Sequence, residues 1–199
     1  RVGFTFDTTG EEQFCLRIVH KHNEQFQLVH DYPNISNFTW LVGPIPPQNV
    51  VATAQNTDGR AHEVVVLNVD TGAAKTILRE TDGGLFLDVA ATKDSAWVTI
   101  NSNSRNDSHV GLFSTCLQEI DKLTHDAVLD LPPRTAGVQY FIEHTHGHLL
   151  AITNLQTRSS YSVLCHRAPP PDAVAADAAC ASLREWSNWR PLIPAQDGF

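Results

Sequence analysis

The stretch Glu63 to Val69 reads E-V-V-V-L-N-V. Its centre, Val64 to Leu67, is apolar at every position, where a half-exposed strand would alternate. Successive side chains of a strand point to opposite faces. A strand of this composition therefore has no face to give to water, and it needs packed structure on both sides. Phe14, Leu16 and Ile18 alternate with Cys15, Arg17 and Val19, and those partners are themselves half apolar.

Working outward from Val64, the neighbouring runs are short, rich in Val, Ile, Phe, Tyr and Thr, and punctuated by Gly, Pro, Asn and Asp. That is strand and turn chemistry. A four-run unit also recurs. Its first runs are Ile35 to Val42, Phe86 to Thr92 and Val138 to Thr145. Its second runs are Val50 to Asn56, Ala96 to Asn101 and Leu149 to Asn154. The third are Glu63 to Val69, Val110 to Cys116 and Tyr161 to His166, and the fourth are Lys75 to Leu78, Ala127 to Leu131 and Trp189 to Ile193. The opening fits the same register without a first run: Val2 to Asp7, Phe14 to Val19 and Phe26 to Val29. Thr8-Thr9-Gly10, Asp70-Thr71-Gly72 and His146-Gly147 supply hairpin turns.

Second runs that begin at residues 50, 96 and 149 set a period close to fifty. Four antiparallel strands per repeat of that length is the signature of a β-propeller blade. The expected fold is all-β: a partial propeller of about four four-stranded antiparallel blades, spanning 1–34 (incomplete), 35–84, 85–136 and 137–195. A two-sheet sandwich is the competing architecture, and it leaves the period unexplained. The Ala- and Pro-rich stretch 168–182 breaks the pattern and reads as a surface insertion, partly disordered or with a short helical turn.

Composition narrows the function classes. The chain of 199 residues carries a net charge of -8 with only 14 Lys and Arg, which argues against nucleic acid or an anionic membrane as partner. Its apolar runs are too short to span a bilayer, and no signal-peptide pattern opens it. Cys15, Cys116, Cys165 and Cys180 form no C-x-x-C pair, and they read as reduced thiols of a cytoplasmic protein. Sequons at Asn34, Asn37 and Asn106 shift that reading only slightly. The chain has no Met and begins at Arg1, which suggests a piece of something larger.

Catalytic signatures are missing from the sequence. No Gly is followed two residues later by Ser, so no nucleophile elbow exists, and there is no Walker loop, G-x-G-x-x-G or H-E-x-x-H. Asp70-Thr71-Gly72 spells the aspartic-protease triplet, but that chemistry needs two such loops, and a hairpin turn accounts for it. His144-Thr145-His146-Gly147-His148 offers three imidazoles to a metal, but Gly147 is expected to turn the chain inside the cluster and splay them. His20 and His22 receive the same reading. Neither a metal nor a cofactor is expected. Trp40, Trp97, Trp186 and Trp189 read as packing residues.

Three stretches carry a family resemblance. Phe6-Asp7-Thr8-Thr9-Gly10-Glu11-Glu12 with Leu16-Arg17-Ile18 is similar to a D-x-x-G-x-E strand pair. Val138-Gln139-Tyr140 through His144 to Ile152-Thr153-Asn154 is similar to V-E-Y-x-V-x-H … I-L-T-N, and Trp189 to Pro194 to W-x-x-L-I-P. In this order and spacing the chain resembles the propeller of the prolyl oligopeptidase family of serine peptidases, most of all oligopeptidase B. Leu149 stands where the family carries an aromatic, and the insertion from Ala168 is longer than its pattern.

The resemblance implies a seven-bladed ring joined to an α/β-hydrolase domain of the same parent chain, with short peptides as substrates. It implies that the propeller gates the active site by size. No position here matches the family's catalytic triad, so no catalytic residue is assigned, and the isolated chain is expected to lack peptidase activity. The innermost strands would face the channel, which makes Trp40, Asp88, Tyr140 and Glu143 its candidate lining. Asp88 and Glu143 would draw basic peptides. A non-catalytic propeller that binds a protein or peptide is the alternative reading.

Overall fold

The computed structural model describes residues 1–7, 9–23, 25–42, 48–157, 159–173 and 178–195. Thr8 of the first expected turn, 174–177 of the insertion and 196–199 lie outside them. The first sheet has three antiparallel strands in chain order, β1 (Val2–Asp7), β2 (Phe14–His22) and β3 (Gln25–Pro33). The second has four, β4 (Ile35–Trp40), β5 (Asn49–Gln55), β6 (Ala61–Asn68) and β7 (Ala74–Arg79). The third comprises β8 (Phe86–Ala91), β9 (Trp97–Asn103), β10 (Ser108–Ser114) and β11 (Val128–Asp130). The fourth comprises β12 (Tyr140–Thr145), β13 (His148–Thr157), β14 (Ser160–Arg167) and β15 (Arg190–Ile193). Each is a meander whose neighbours in sequence are neighbours in space, so this is an array of propeller blades, three of four strands and the first of three.

The E-V-V-V-L-N-V strand behaves as its composition requires. Val64 and Val66 enter one apolar cluster, while Val65 and Leu67 enter another on the opposite face. The same division repeats along the chain. Leu16, Ile18 and Tyr32 of the first sheet meet Val50, Ala52, Val65 and Leu67 of the second. Val51, Val64, Val66 and Ile77 meet Val89, Val98, Ile100 and Phe113 of the third. Trp97, Val110, Leu112 and Leu129 of the third meet Tyr140, Leu149, Ala151 and Leu164 of the fourth. In β10 the parity is explicit, since Val110 and Leu112 face the fourth sheet while Phe113 faces the second.

Close approach also dictates Gly111 in β10. A methyl group placed there would sit 2.7 Å from Val128 Cγ1 on the adjacent strand. That crowding lies inside a finished cluster and has no flexible side-chain tip to yield.

The insertion departs from the expectation of a surface segment. Its described part carries a short helix, α1 (Ala178–Ala181), followed by single 3-10 turns at Ser182–Arg184 and Trp186–Asn188. Ala173, Cys180, Leu183 and Trp189 are buried in the cluster between the third and fourth sheets. The indole Nε1 of Trp189 donates to Leu183 O at 3.1 Å. Small residues read from sequence as exposed therefore cap a core, because the long β14–β15 connection folds back over the seam.

Two-sided burial makes a direct prediction. Val65→Ala and Val66→Ala each lose about 1–3 kcal/mol in urea unfolding, through lost burial and the cavity left behind. The two values should be similar. A strand with one solvated face would show the loss at only one of the two positions.

Candidate channel face and the seams between sheets

The first strands of the second, third and fourth sheets, β4, β8 and β12, hold the four residues expected to line a channel, and the structure treats them differently. Asp88 is exposed. Its Oδ1 accepts a hydrogen bond from Asn37 Nδ2 at 2.6 Å, and the same amide donates to Val89 O at 3.1 Å. Trp40 is half-buried, edge-on to Phe38 with ring centroids 6.3 Å apart, and packs against the first seam. Glu143 is half-buried, and its Oε1 accepts the backbone N–H of Lys93 at 3.0 Å and of His144 at 2.9 Å.

Tyr140 corrects the sequence expectation. It is 1% exposed and lies inside the seam between the third and fourth sheets, on the strand face opposite Glu143. Three residues apart along a strand means opposite faces, so the two could never share one surface. The Tyr140 hydroxyl donates to Pro132 O at 2.7 Å and accepts the Val110 N–H at 3.0 Å. Trp186 packs its ring edge-to-face at 5.0 Å. Burial pushes the phenol well above its ordinary value, so it remains a neutral donor at any working pH.

A second clasp on this seam escaped the sequence reading. The β8–β9 turn places Asp94 against His144, with Oδ2 2.6 Å from Nδ1. Asp94 Oδ1 also accepts the Thr92 hydroxyl at 2.9 Å and the Ala96 N–H at 3.1 Å. Partial desolvation pushes the Asp94 carboxyl up, but the Ala96 N–H, the Thr92 hydroxyl and the His144 imidazole together outweigh it and hold the carboxyl below the usual range. The available signal was the period itself: Lys93–Glu143 and Asp94–His144 are each fifty residues apart.

The decoy motifs resolve as turns. Asn68 Oδ1 accepts the N–H groups of Asp70 and Thr71, and Gly72 adopts φ +76°. That left-handed conformation is what the glycine of Asp70-Thr71-Gly72 supplies. In His144 to His148 the reversal falls at His146 (φ +47°) and Gly147 (φ +72°), as a two-residue hairpin loop. His144 turns into the seam, while His146 lies against the Thr145 hydroxyl and His148 against His146 O.

No family model matches the chain. It is 28% identical over 155 residues to a prolyl endopeptidase-like protein of Xenopus laevis, covering 77% of this chain and 20% of that protein. It is 26% identical over 165 residues to the human protein of the same name, covering 82% of this chain and 22% of that one. The chain thus spans about a fifth of the length of these curated relatives. Among solved structures, 98% of it overlays oligopeptidase B from Leishmania major with a TM-score of 0.73 at 16% identity, over 24% of that chain. For oligopeptidase B from Trypanosoma brucei, with covalently bound antipain in its closed form, the TM-score is 0.70 at 18% identity, again over 24% of that chain.

The fold is that of the propeller region in those peptidases. Sequence and fold likeness together support a member of the prolyl oligopeptidase family.

Two predictions test the seam between the third and fourth sheets. Tyr140→Phe strands the Val110 N–H and the Pro132 carbonyl away from water, and costs about 1–3 kcal/mol in denaturant unfolding; an unchanged midpoint would show that the hydroxyl contributes nothing. The Asp94 carboxyl is lowered in the folded state, so its contribution is present above the unfolded value of about 3.9 and lost as pH falls through the folded one. The stability gap between the wild type and Asp94→Asn should therefore close on acidification from neutral pH. A gap constant down to acid pH would remove the clasp from the account.

Proposed function

We propose that this chain is the gating propeller segment of a cytoplasmic serine oligopeptidase whose catalytic α/β-hydrolase domain belongs to the same parent chain. The observation that carries the reading is the sequence likeness to prolyl endopeptidase-like proteins, which runs through 77% of this chain. The fold supports it, since nearly the whole chain overlays the corresponding part of oligopeptidase B.

In this reading the parent closes its sheets into a seven-bladed ring whose bore admits short peptides and excludes folded proteins. The contribution is water exclusion and size selection; proton transfer happens elsewhere. Seams filled with β-branched side chains make each blade stiff, which suits a filter of fixed diameter. Asp88, exposed on an innermost strand, supplies negative potential at the bore and favours peptides with basic residues. Glu143 adds to that field while holding the β8–β9 turn.

The reading predicts a G-x-S-x-G in the parent sequence on a strand-turn-helix, and no peptidase activity in the isolated 199-residue chain. In the parent enzyme, Asp88→Asn should lower kcat/KM for Arg-containing peptides by roughly twofold to tenfold at low salt and leave neutral peptides unchanged. A parent without the nucleophile motif, or turnover by the pure isolated chain, would overturn the assignment. Equal losses on basic and neutral peptides would remove the role of Asp88.

A further inference from the structure

A cavity of about 580 Å³ opens at the seam between the third and fourth sheets, where the β14–β15 insertion folds back over it. One wall is apolar, formed by Ala96, Trp97 and the run Pro169-Pro170-Pro171. The other carries His144, His166 and Arg167. Its volume lies within the ordinary range for small-molecule sites, about 300–1,000 Å³.

Its two imidazoles are held in place from behind. His144 has Nδ1 committed to Asp94 at 2.6 Å. His166 donates Nδ1–H to the Arg167 carbonyl at 2.7 Å and packs against Trp189 in a tilted arrangement, ring centroids 5.3 Å apart. In each imidazole the nitrogen left for a ligand is Nε2. Three successive prolines fix φ along the facing wall, so little conformational freedom remains to be lost on binding.

The charge is inverted relative to the rest of the molecule. The chain has 22 Asp and Glu against 14 Lys and Arg, yet no carboxylate lines this cavity among the described residues. The Arg167 guanidinium has no hydrogen-bond or ion-pair partner among the described residues. Arg17, Arg79 and Arg134, by contrast, each pair with a carboxylate. An adjoining cavity of about 590 Å³ shares His166 and Arg167, adds His148 and Arg190, and among the described residues likewise has no carboxylate in its lining. The Arg167 guanidinium beside this apolar wall is therefore open to a ligand anion.

The geometry points to a binding site for a small apolar carboxylic acid, its carboxylate paired with Arg167 and its body against Trp97 and the proline wall. A guanidinium matches one carboxylate in bidentate fashion. A phosphate dianion calls for a second fixed cation, and Arg190 lies in the neighbouring cavity rather than this one. The site stands on the β14–β15 insertion, and it does not depend on the peptidase reading.

The test is calorimetric titration of the 199-residue chain with three probes: N-acetyl-phenylalanine, its uncharged amide, and inorganic phosphate. The carboxylate should bind saturably, and the amide about tenfold more weakly or worse. Arg167→Gln should weaken the carboxylate by a similar factor and leave amide binding unchanged. Arg167 is exposed, so the fold should persist, and unchanged circular dichroism verifies that. Arg184→Gln, which removes the exposed partner of Asp130, should leave all three titrations as in the wild type. Equal binding of acid and amide, indifference to Arg167→Gln, phosphate binding as tightly as the acid, or no saturation up to about 10 mM would each overturn the site.

Discussion

The architecture depends on the middle strands of the second and third sheets having no solvent side. β5, β6, β9 and β10 are buried along most of both faces, and each face is finished only by the next sheet. Hydrophobic burial is non-directional, so it alone would allow the sheets to slide over one another. Direction comes from the polar groups along the seams. Tyr32 donates to Asn68 O at 2.9 Å, Asn37 reaches across to Asp88, and Tyr140 reaches Pro132 and Val110. The buried Tyr32 and Tyr140 would be costly to strand without their partners, so each tolerates one register.

Much of the fold was legible because the determining signal is local. Four consecutive apolar residues, Val64 to Leu67, declare a strand packed on both faces, and turn residues at the expected intervals declare its partners. The insertion was harder. Ala173, Cys180 and Leu183 look unremarkable in a stretch of alanine and proline, and only the return of the chain over the seam makes them core. Composition reports what a residue prefers, and the path of a long connection decides what it gets.

The candidate site was less legible, for a related reason. Tyr140 and Glu143 were grouped by their shared strand, whereas strand parity sets them on opposite faces. Asp94 has no motif of its own; it matters because one repeat of chain brings it beneath His144. Arg167 is equally silent in sequence. Its standing comes from a partner that it lacks among the described residues, and no residue-by-residue reading can register that.

The separateness of the three clusters has a further consequence. Among the described residues each core cluster joins two neighbouring sheets, so cohesion is shared pairwise along a line rather than pooled in one centre. The second and third sheets each belong to two clusters, while the first and fourth each belong to one. Damage in an outer sheet is thus confined to one boundary, whereas damage in an inner sheet loosens two. Such a chain has reason to unravel from its ends inward, through partly folded states, and a single melting temperature would average over events that belong to different sheets.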